Sequence, residues 1–291
     1  MLAGIETGGT KCVVAVAEAP GKIRHRFEIP TTLPDETFTR LRKVLSNAGP
    51  IHAIGIAAFG PVDIDPTSPD YGKVLVTSKA DWQGTSYMAA FGDFECPIRI
   101  ESDVSGACLG EWGYGAGQGE NVIAYVTVGT GIGAGVVHNG HILNGTGHYE
   151  MGHIKVSRFT ADGLARSVCP IHDDCLEGLA SGPSILARWG RPLSDLPKDH
   201  EGLEFEAAYL SQLARTLTLT HRPARIVFGG GVMKTPGLID RIRRHTQADL
   251  AGYIECGRAR DMSDYIVPSL LGDNAGITGA LMLAQSTLTT P

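Results

Sequence analysis

The sequence predicts an α/β protein built from two related lobes, and three observations carry that prediction. A strand, a turn rich in glycine and threonine, and a second strand occur twice, about 120 residues apart. Four glycines, Gly113, Gly115, Gly117 and Gly119, fall in one stretch between the two copies. The length, 291 residues of which 43% are hydrophobic, is enough for two cores of ordinary domain size. The repeat distance is too long for a solenoid. The pattern therefore reads as a duplicated α/β unit, with lobes at 1–115 and 116–272.

In the first copy, Leu2-Ala3-Gly4-Ile5-Glu6 leads into Thr7-Gly8-Gly9-Thr10-Lys11, and Cys12-Val13-Val14-Ala15-Val16 resumes strand character. Phe38, Leu41, Val44 and Leu45 lie at helical spacing within 35–48. A strand at Ile51–Ala58 ends at the turn Phe59-Gly60-Pro61. A short strand at Ile98–Glu101 runs into a helix that starts at Asp103 and continues to Glu111. In the second copy, residues 122–128 form a strand, Gly129-Thr130-Gly131-Ile132-Gly133 the turn, and Ala134–His138 the returning strand. Asn139-Gly140 is a hairpin signal. Beyond it, 176–189, 203–221, 236–252 and 273–286 read as helices. Arg225–Phe228 reads as a buried strand that ends at Gly229-Gly230-Gly231.

Composition narrows the function. A net charge of −6 without a basic run argues against nucleic acid or an anionic membrane surface as the main partner. No apolar stretch reaches the ~18 residues of a membrane span, and the opening residues lack the basic start of a secretory signal. Six cysteines are few for a disulfide scaffold, and two have a better use, so a reducing cytoplasm fits. Glycine is the outlier: 38 residues, nearly twice average usage.

Two of the cysteines belong to a metal-ligand pattern. His153, Cys169, His172 and Cys175 read His-x15-Cys-x2-His-x2-Cys, and two thiolates with two imidazoles suit tetrahedral zinc. Four protein ligands leave no open position for water, so such a zinc is structural. It would pin the loop 153–175 and, beside it, Glu150 in the run Glu150-Met151-Gly152-His153. Glu150 is either a solvated loop carboxylate or a ligand for polyol hydroxyls, and its place next to the zinc ligand favours the second.

The glycine turns allow backbone amides to approach an anion closely, because no Cβ intervenes. Thr7–Lys11, Gly129–Gly133 and Gly229–Gly231 are three such turns. None is a Walker A loop or a dinucleotide-binding Gly-x-Gly-x-x-Gly turn. With the threonine hydroxyls and the Lys11 ammonium they suggest a nucleotide gripped between two lobes. Asp103, where a strand passes into a helix, stands where open α/β sheets bind ligands. A helix N-terminus keeps such a carboxylate ionised and ready to accept a hydroxyl proton. Its plainer alternative is a helix N-cap with a local role. Cys12, Cys96 and Cys108 read as small core residues.

Taken together, these motifs resemble sugar kinases of the ROK family (repressor, open reading frame, kinase), and within it the bacterial zinc-containing fructokinases. The resemblance runs nearly end to end. It covers Gly4–Lys11, Phe59-Gly60-Pro61, Asp103 with Leu109-Gly110-Glu111, Thr127–Gly133, His148–His153, Cys169–Gly178, Ala180–Pro183 and Gly229–Met233. It implies a two-lobed ATPase fold of the actin–hexokinase type, a pair of ribonuclease-H-like domains, with the C-terminal helix 273–286 packing back on the first lobe. It implies phosphoryl transfer from Mg²⁺-ATP to a hexose, above all to O6 of fructose; mannose, glucose or N-acetylmannosamine would be the alternatives.

By this resemblance Asp103 matches the catalytic base, and Glu150 a sugar ligand supported by Gly60, Pro61, Ser105 and His153. Gly8, Gly9, Thr10 and Lys11 match the first phosphate loop, Thr130 and Gly131 the second, and Gly230 and Gly231 the wall near adenosine. His153, Cys169, His172 and Cys175 match the zinc site. Three departures stand out: Glu6 where many members carry Asp, Ser105 where Asn is usual, and Tyr149 where fructokinases often have Pro. A sugar-responsive regulator is the rival from another class, but the first strand begins at Leu2 with no DNA-binding extension before it. A homodimer is the expected assembly.

Overall fold

Two five-stranded sheets of the same strand order carry the fold, seen in a computed structural model that describes residues 1–77, 79–159, 161–162, 166–254, 256 and 261–289. The first half contributes β1 (Leu2–Thr7), β2 (Lys11–Ala17), β3 (Ile23–Pro30), α1 (Pro34–Ser46), β4 (Ala53–Ala58), α2 (Tyr87–Phe91), β5 (Ile98–Ser102) and α3 (Asp103–Tyr114). The second half contributes β6 (Val122–Val128), β7 (Ile132–His138), β8 (His141–Ile142), α4 (Leu176–Ala180), α5 (Gly182–Trp189) and α6 (Glu201–His221). It continues with β9 (Arg225–Gly229), α7 (Leu238–Leu250), α8 (Met262–Tyr265), β10 (Ile266–Pro268) and α9 (Ala275–Thr289).

The first sheet runs β3-β2-β1-β4-β5, antiparallel across β1–β2–β3 and parallel across β1–β4–β5. The second runs β8-β7-β6-β9-β10 in the same sense, with β6 antiparallel to β7 and parallel to β9. In both, the glycine turn joins the central strand to its antiparallel neighbour. Asn139 and Gly140 both take positive φ, 50° and 81°, which is the geometry that makes Asn-Gly a hairpin signal.

By contact the chain divides into two compact units, Met1–Gly115 with His141–Tyr149 and Asp273–Pro291, and Ala116–Gly140 with Glu150–Gly272. The segment 141–149, assigned from sequence to the second lobe, groups with the first unit. Asn144 holds it there by donating from Nδ2 to Glu101 Oε2 at 2.9 Å.

The first unit's core lies under α1. Pro34 in the first turn and Asp35 and Glu36 beside it favour the helix start, and Lys43 suits its end. Phe38, Leu41 and Leu45 then share one buried face, each worth about 1.5–3 kcal/mol of burial. Phe38 meets Trp82, Tyr87 and Phe91 edge-on at 5.3, 5.4 and 5.7 Å between ring centres. On the other sheet face, Ile277, Ala280, Leu281 and Ala284 of α9 pack with Leu2, Val13, Ala15, Ala53 and Ala57. Glycine permits that approach: a Cβ on Gly55 would stand 1.8 Å from the Ala280 carbonyl oxygen, and one on Gly279 1.7 Å from that of Gly106.

The stretch read as one helix over 176–189 is two. Ser181 is extended, and Gly182-Pro183 begins α5, because proline suits a first turn and disrupts an interior. Behind it, Arg188 Nε lies 2.7 Å from Asp162 Oδ1, both side chains almost wholly buried, and the Tyr209 hydroxyl donates to Asp162 Oδ2 at 2.6 Å. Glu206 of α6 is 1% exposed, and neither carboxylate oxygen has a hydrogen-bond partner among the described residues. Burial holds its pKa well above the carboxylate range, against the pull of Arg188.

The folded chain therefore keeps this proton to a higher pH than the unfolded chain does. Stability is full below the ordinary carboxylate pKa and declines as pH rises above it. Glu206→Met removes both the proton and the unpartnered oxygens. It should stabilise the protein by about 1–3 kcal/mol at pH 8 and by less at pH 5. Melting at the two pH values checks this; an equal effect at both would show that Glu206 does not titrate between them.

Candidate active site

In the first unit, the turn after β1 is a tight hairpin in which the Gly8 amide donates to the Lys11 carbonyl at 3.0 Å. Thr7 is buried and structural. Its Oγ1 accepts from the Phe59 amide at 3.1 Å and lies 2.7 Å from the Tyr87 hydroxyl. Gly9, Thr10 and Lys11 are exposed. Lys11 Nζ and Arg26 share Glu28 Oε1, each at 2.9 Å. Surface pairs of this kind contribute about 0–1 kcal/mol, so an arriving phosphate can take Lys11 from Glu28. Lys79, which the sequence did not single out, lies alongside: a Cβ on Gly9 would be 3.7 Å from its Cε.

Asp103 opens α3 at the carboxyl end of β5. The cap is Ser102, whose hydroxyl accepts from the Ser105 amide at 3.2 Å. Asp103 is therefore not the N-cap residue, and its Oδ1 accepts from the first-turn amide of Val104 at 2.7 Å. Ser105 is 3% exposed and its hydroxyl lies 2.8 Å from that of Ser102. That contact places the Ser105 hydroxyl beside the cap.

Glu6, near the end of β1, is the second carboxyl of this unit. Its Oε2 is buried without a hydrogen-bond partner among the described residues, and its pKa is pushed up to about 7, by burial first and then by the charge of Asp103, against Lys11 and Arg26. Gly276 makes room for it, since a Cβ there would come within 2.4 Å of the carboxyl carbon. Gly60 and Pro61 follow β4 against His148, whose Nε2 accepts from the Val62 amide at 3.1 Å.

In the second unit, the turn between β6 and β7 is closed by the Gly129 amide donating to the Gly131 carbonyl at 2.9 Å. Two outside contacts hold it. The Gly182 amide donates to the Gly129 carbonyl at 2.7 Å, and the Ile132 amide donates to Glu177 Oε2 at 2.9 Å. Thr130 remains exposed. Gly230, with φ of 92°, follows β9 against Val128, where a Cβ would meet the Val128 carbonyl oxygen at 2.3 Å. This brings Gly230 and Gly231 beside the Gly129 turn, as the register Thr127↔Gly229 requires.

Glu150 is exposed and starts the one-turn helix Met151–His153, where the His153 amide donates to the Glu150 carbonyl at 3.0 Å. The quartet assembles here. His153, Cys169, His172 and Cys175 offer donor atoms that all lie within 4.8 Å of one another. A bridge between Lys155 and Cys175 brings the two ends of the loop together. Cys169 Sγ is central, 3.9 Å from His153 Nδ1 and 3.7 Å from His172 Nδ1.

Gly178 must be glycine, because a Cβ would lie 2.8 Å from that of Cys169. Burial first, and Cys169 second among the influences that raise it, push the Cys175 thiol up to about 11. A cation among these donors would reverse that preference, since thiolates are the ligating form. Two thiols and two imidazoles are a soft set that fits a tetrahedral d¹⁰ ion rather than Mg²⁺ or Ca²⁺.

Two duplicated sheets, each displaying a glycine turn, with a carboxylate at the end of a strand, define the sugar-kinase fold of hexokinases and glucokinases. The sequence matches the ROK family over residues 2–287, and the chain belongs to that family. It is 42% identical to a putative fructokinase of Bacillus subtilis (strain 168) over 99% of this chain and 96% of that one. It is 39% identical to a fructokinase of Pediococcus pentosaceus over 99% of both. Among solved structures, a ROK family glucokinase from Streptomyces griseus in complex with glucose and AMPPNP superposes with a TM-score of 0.75 at 25% identity, over 98% of this chain and 99% of that one.

Proposed function

We propose that this chain is an ATP-dependent fructokinase that transfers the γ-phosphoryl group of ATP to O6 of fructose. The observation that supports phosphotransfer is Asp103, held at the first turn of α3 just after the Ser102 cap, in the unit that also displays the Gly8–Lys11 turn. The choice of fructose rests on the likeness to the two fructokinase-named relatives.

In this reading the Asp103 carboxylate accepts the proton of the sugar hydroxyl as that oxygen attacks the γ-phosphorus and the bond to the β-phosphate oxygen breaks. Gly8, Gly9, Thr10 and Lys11 hold phosphate in the first unit, and Thr130 and Gly131 in the second. Gly230 and Gly231 border the nucleoside. Glu150 orients sugar hydroxyls; Gly60, Pro61 and His153 complete the sugar contacts. Glu6 would offer a hard oxygen donor to Mg²⁺. Mg²⁺ carried in with the nucleotide neutralises charge on the phosphates.

The quartet His153, Cys169, His172 and Cys175 holds a structural zinc that fixes the Glu150–His153 turn. Six free thiols suit a reducing cytoplasm, with the chain working as a homodimer.

The test is an ADP-release assay with Mg²⁺-ATP across fructose, mannose, glucose and N-acetylmannosamine, on protein whose metal content has been measured. Fructose should be preferred, with about one zinc per chain. Preference for another hexose would overturn the substrate, and absence of sugar-dependent turnover in zinc-replete protein would overturn the activity.

A further inference from the structure

Thr31 and Thr32 link β3 to α1, and the first of them reaches back to the turn that follows β1. The Thr31 amide donates to the Thr10 carbonyl at 3.0 Å. Its hydroxyl donates to the Gly8 carbonyl at 2.7 Å. Two carbonyls of the Gly8–Lys11 turn are thus held by one residue distant in sequence. Thr31 Oγ1 also lies 3.4 Å from Cys12 Sγ. Burial pushes the Cys12 thiol above its ordinary range, so it keeps its proton. The single hydroxyl proton of Thr31 is committed to Gly8, so in this pair the thiol donates and the hydroxyl accepts.

Thr31 is itself held in place through its neighbour. The Thr32 amide donates to Thr37 Oγ1 at 3.0 Å, and the Thr32 carbonyl accepts from Trp82 Nε1 at 3.0 Å. Thr37 and Trp82 are 0% and 1% exposed, so the core of the first unit fixes the link from which Thr31 acts.

These contacts set the direction of two further groups. A trans peptide is planar, and its N–H points opposite to its C=O. Drawing the Gly8 carbonyl toward Thr31 turns the Gly9 amide away from it, and drawing the Thr10 carbonyl does the same for the Lys11 amide. Gly9 and Lys11 are both exposed. Without Thr31 the glycines of the turn would be free to rotate these peptides, since neither Gly8 nor Gly9 has a Cβ to restrict it.

We propose that Thr31 is a positioning residue that aims the Gly9 and Lys11 amides at the phosphates of the nucleotide. Donors fixed in advance avoid reorganisation as charge develops during transfer. The proposal rests on the assignment of the Gly8–Lys11 turn to phosphate in the preceding section.

Steady-state kinetics of full-length parent, Thr31→Val and Thr31→Ser test it, with KM for Mg²⁺-ATP and KM for fructose measured separately. Val keeps the β-branched shape of Thr but cannot donate to Gly8, whereas Ser keeps the donor and loses the methyl group. Val should raise KM for Mg²⁺-ATP about 2–10-fold, the equivalent of one net hydrogen bond, and leave KM for fructose near that of the parent. Ser should bring the nucleotide KM back close to the parental value.

A parental nucleotide KM in the Val variant would overturn the proposal. Equal rises in both KM values, a Ser variant no better than Val, or variants that do not fold would do the same, since each marks Thr31 as a packing residue. If the parent releases no ADP with any sugar, the proposed activity fails, and calorimetric binding of a non-hydrolysable ATP analogue to the same three proteins decides the role of Thr31. Weaker binding in Val with rescue by Ser upholds it; equal affinity in all three, or no binding by the parent, overturns it.

Discussion

Asn in place of Asp103 should lower kcat by about 10²–10⁴-fold, the contribution of a positioned general base, while the KM for sugar should change little. The size follows from how little else the substitution disturbs. Asn retains the oxygen that accepts from the Val104 amide, and the cap hydrogen bond belongs to Ser102 and Ser105, so α3 keeps its start. What is lost is a proton acceptor at the end of β5. A second signature accompanies the loss. The charge of Asp103 is the second cause of the elevated Glu6 pKa after burial, so its removal moves Glu6 down from about 7 toward the ordinary carboxylate range. Steady-state kinetics with a pH profile reads both. A variant with near-parental kcat would remove Asp103 from the chemistry.

If the quartet holds zinc as proposed, Cys169→Ser should abolish stoichiometric zinc and lower the melting temperature. Ser keeps the shape of the side chain, but its hydroxyl does not ionise as a thiol does, and Cys169 Sγ lies within 3.9 Å of a ring nitrogen of both His153 and His172. A bound ion closes the loop from His153 to Cys169 much as a covalent cross-link would, and for a loop of this length that constraint is worth about 3 kcal/mol. At roughly 2–4 °C per kcal/mol the melting point should fall on the order of 10 °C. Metal analysis and calorimetry on the same sample check it; unchanged zinc and unchanged melting would refute a structural metal here.

The parts of this molecule that were legible in its sequence are those whose signal is local. The two strand–turn–strand copies announce themselves by alternation of β-branched residues with glycine and threonine, and α1, α6 and α7 by periodic apolar residues bounded by charges. β3 is less legible because Ile23–Pro30 is an edge strand exposed over most of its length, so little of its alternation of Ile23, Phe27 and Ile29 with Arg24, Arg26 and Glu28 reflects burial. β10 is three residues long and carries too little pattern. The break at Ser181 was written in Gly182-Pro183 but outweighed by the apolar run around it.

The candidate site divides along the same line. Fixed spacing exposes the quartet from His153 to Cys175. The neighbours that tune the site come from afar: Lys79 beside Gly9, Glu177 beneath Ile132, and Gly276 against Glu6. No window along the chain contains both members of any such pair.

The strands of the first sheet are all in place by residue 102, but the helix that seals one of its faces, α9, begins at Ala275. During synthesis the earliest-made sheet therefore waits for the latest-made helix, with Leu2, Val13, Ala15 and Ala53 uncovered on that side. All the strands and helices of the second unit emerge during that interval. The N-terminal half is thus the last to reach its finished form, and its exposed sheet face is what a chaperone or a neighbouring nascent chain would meet first.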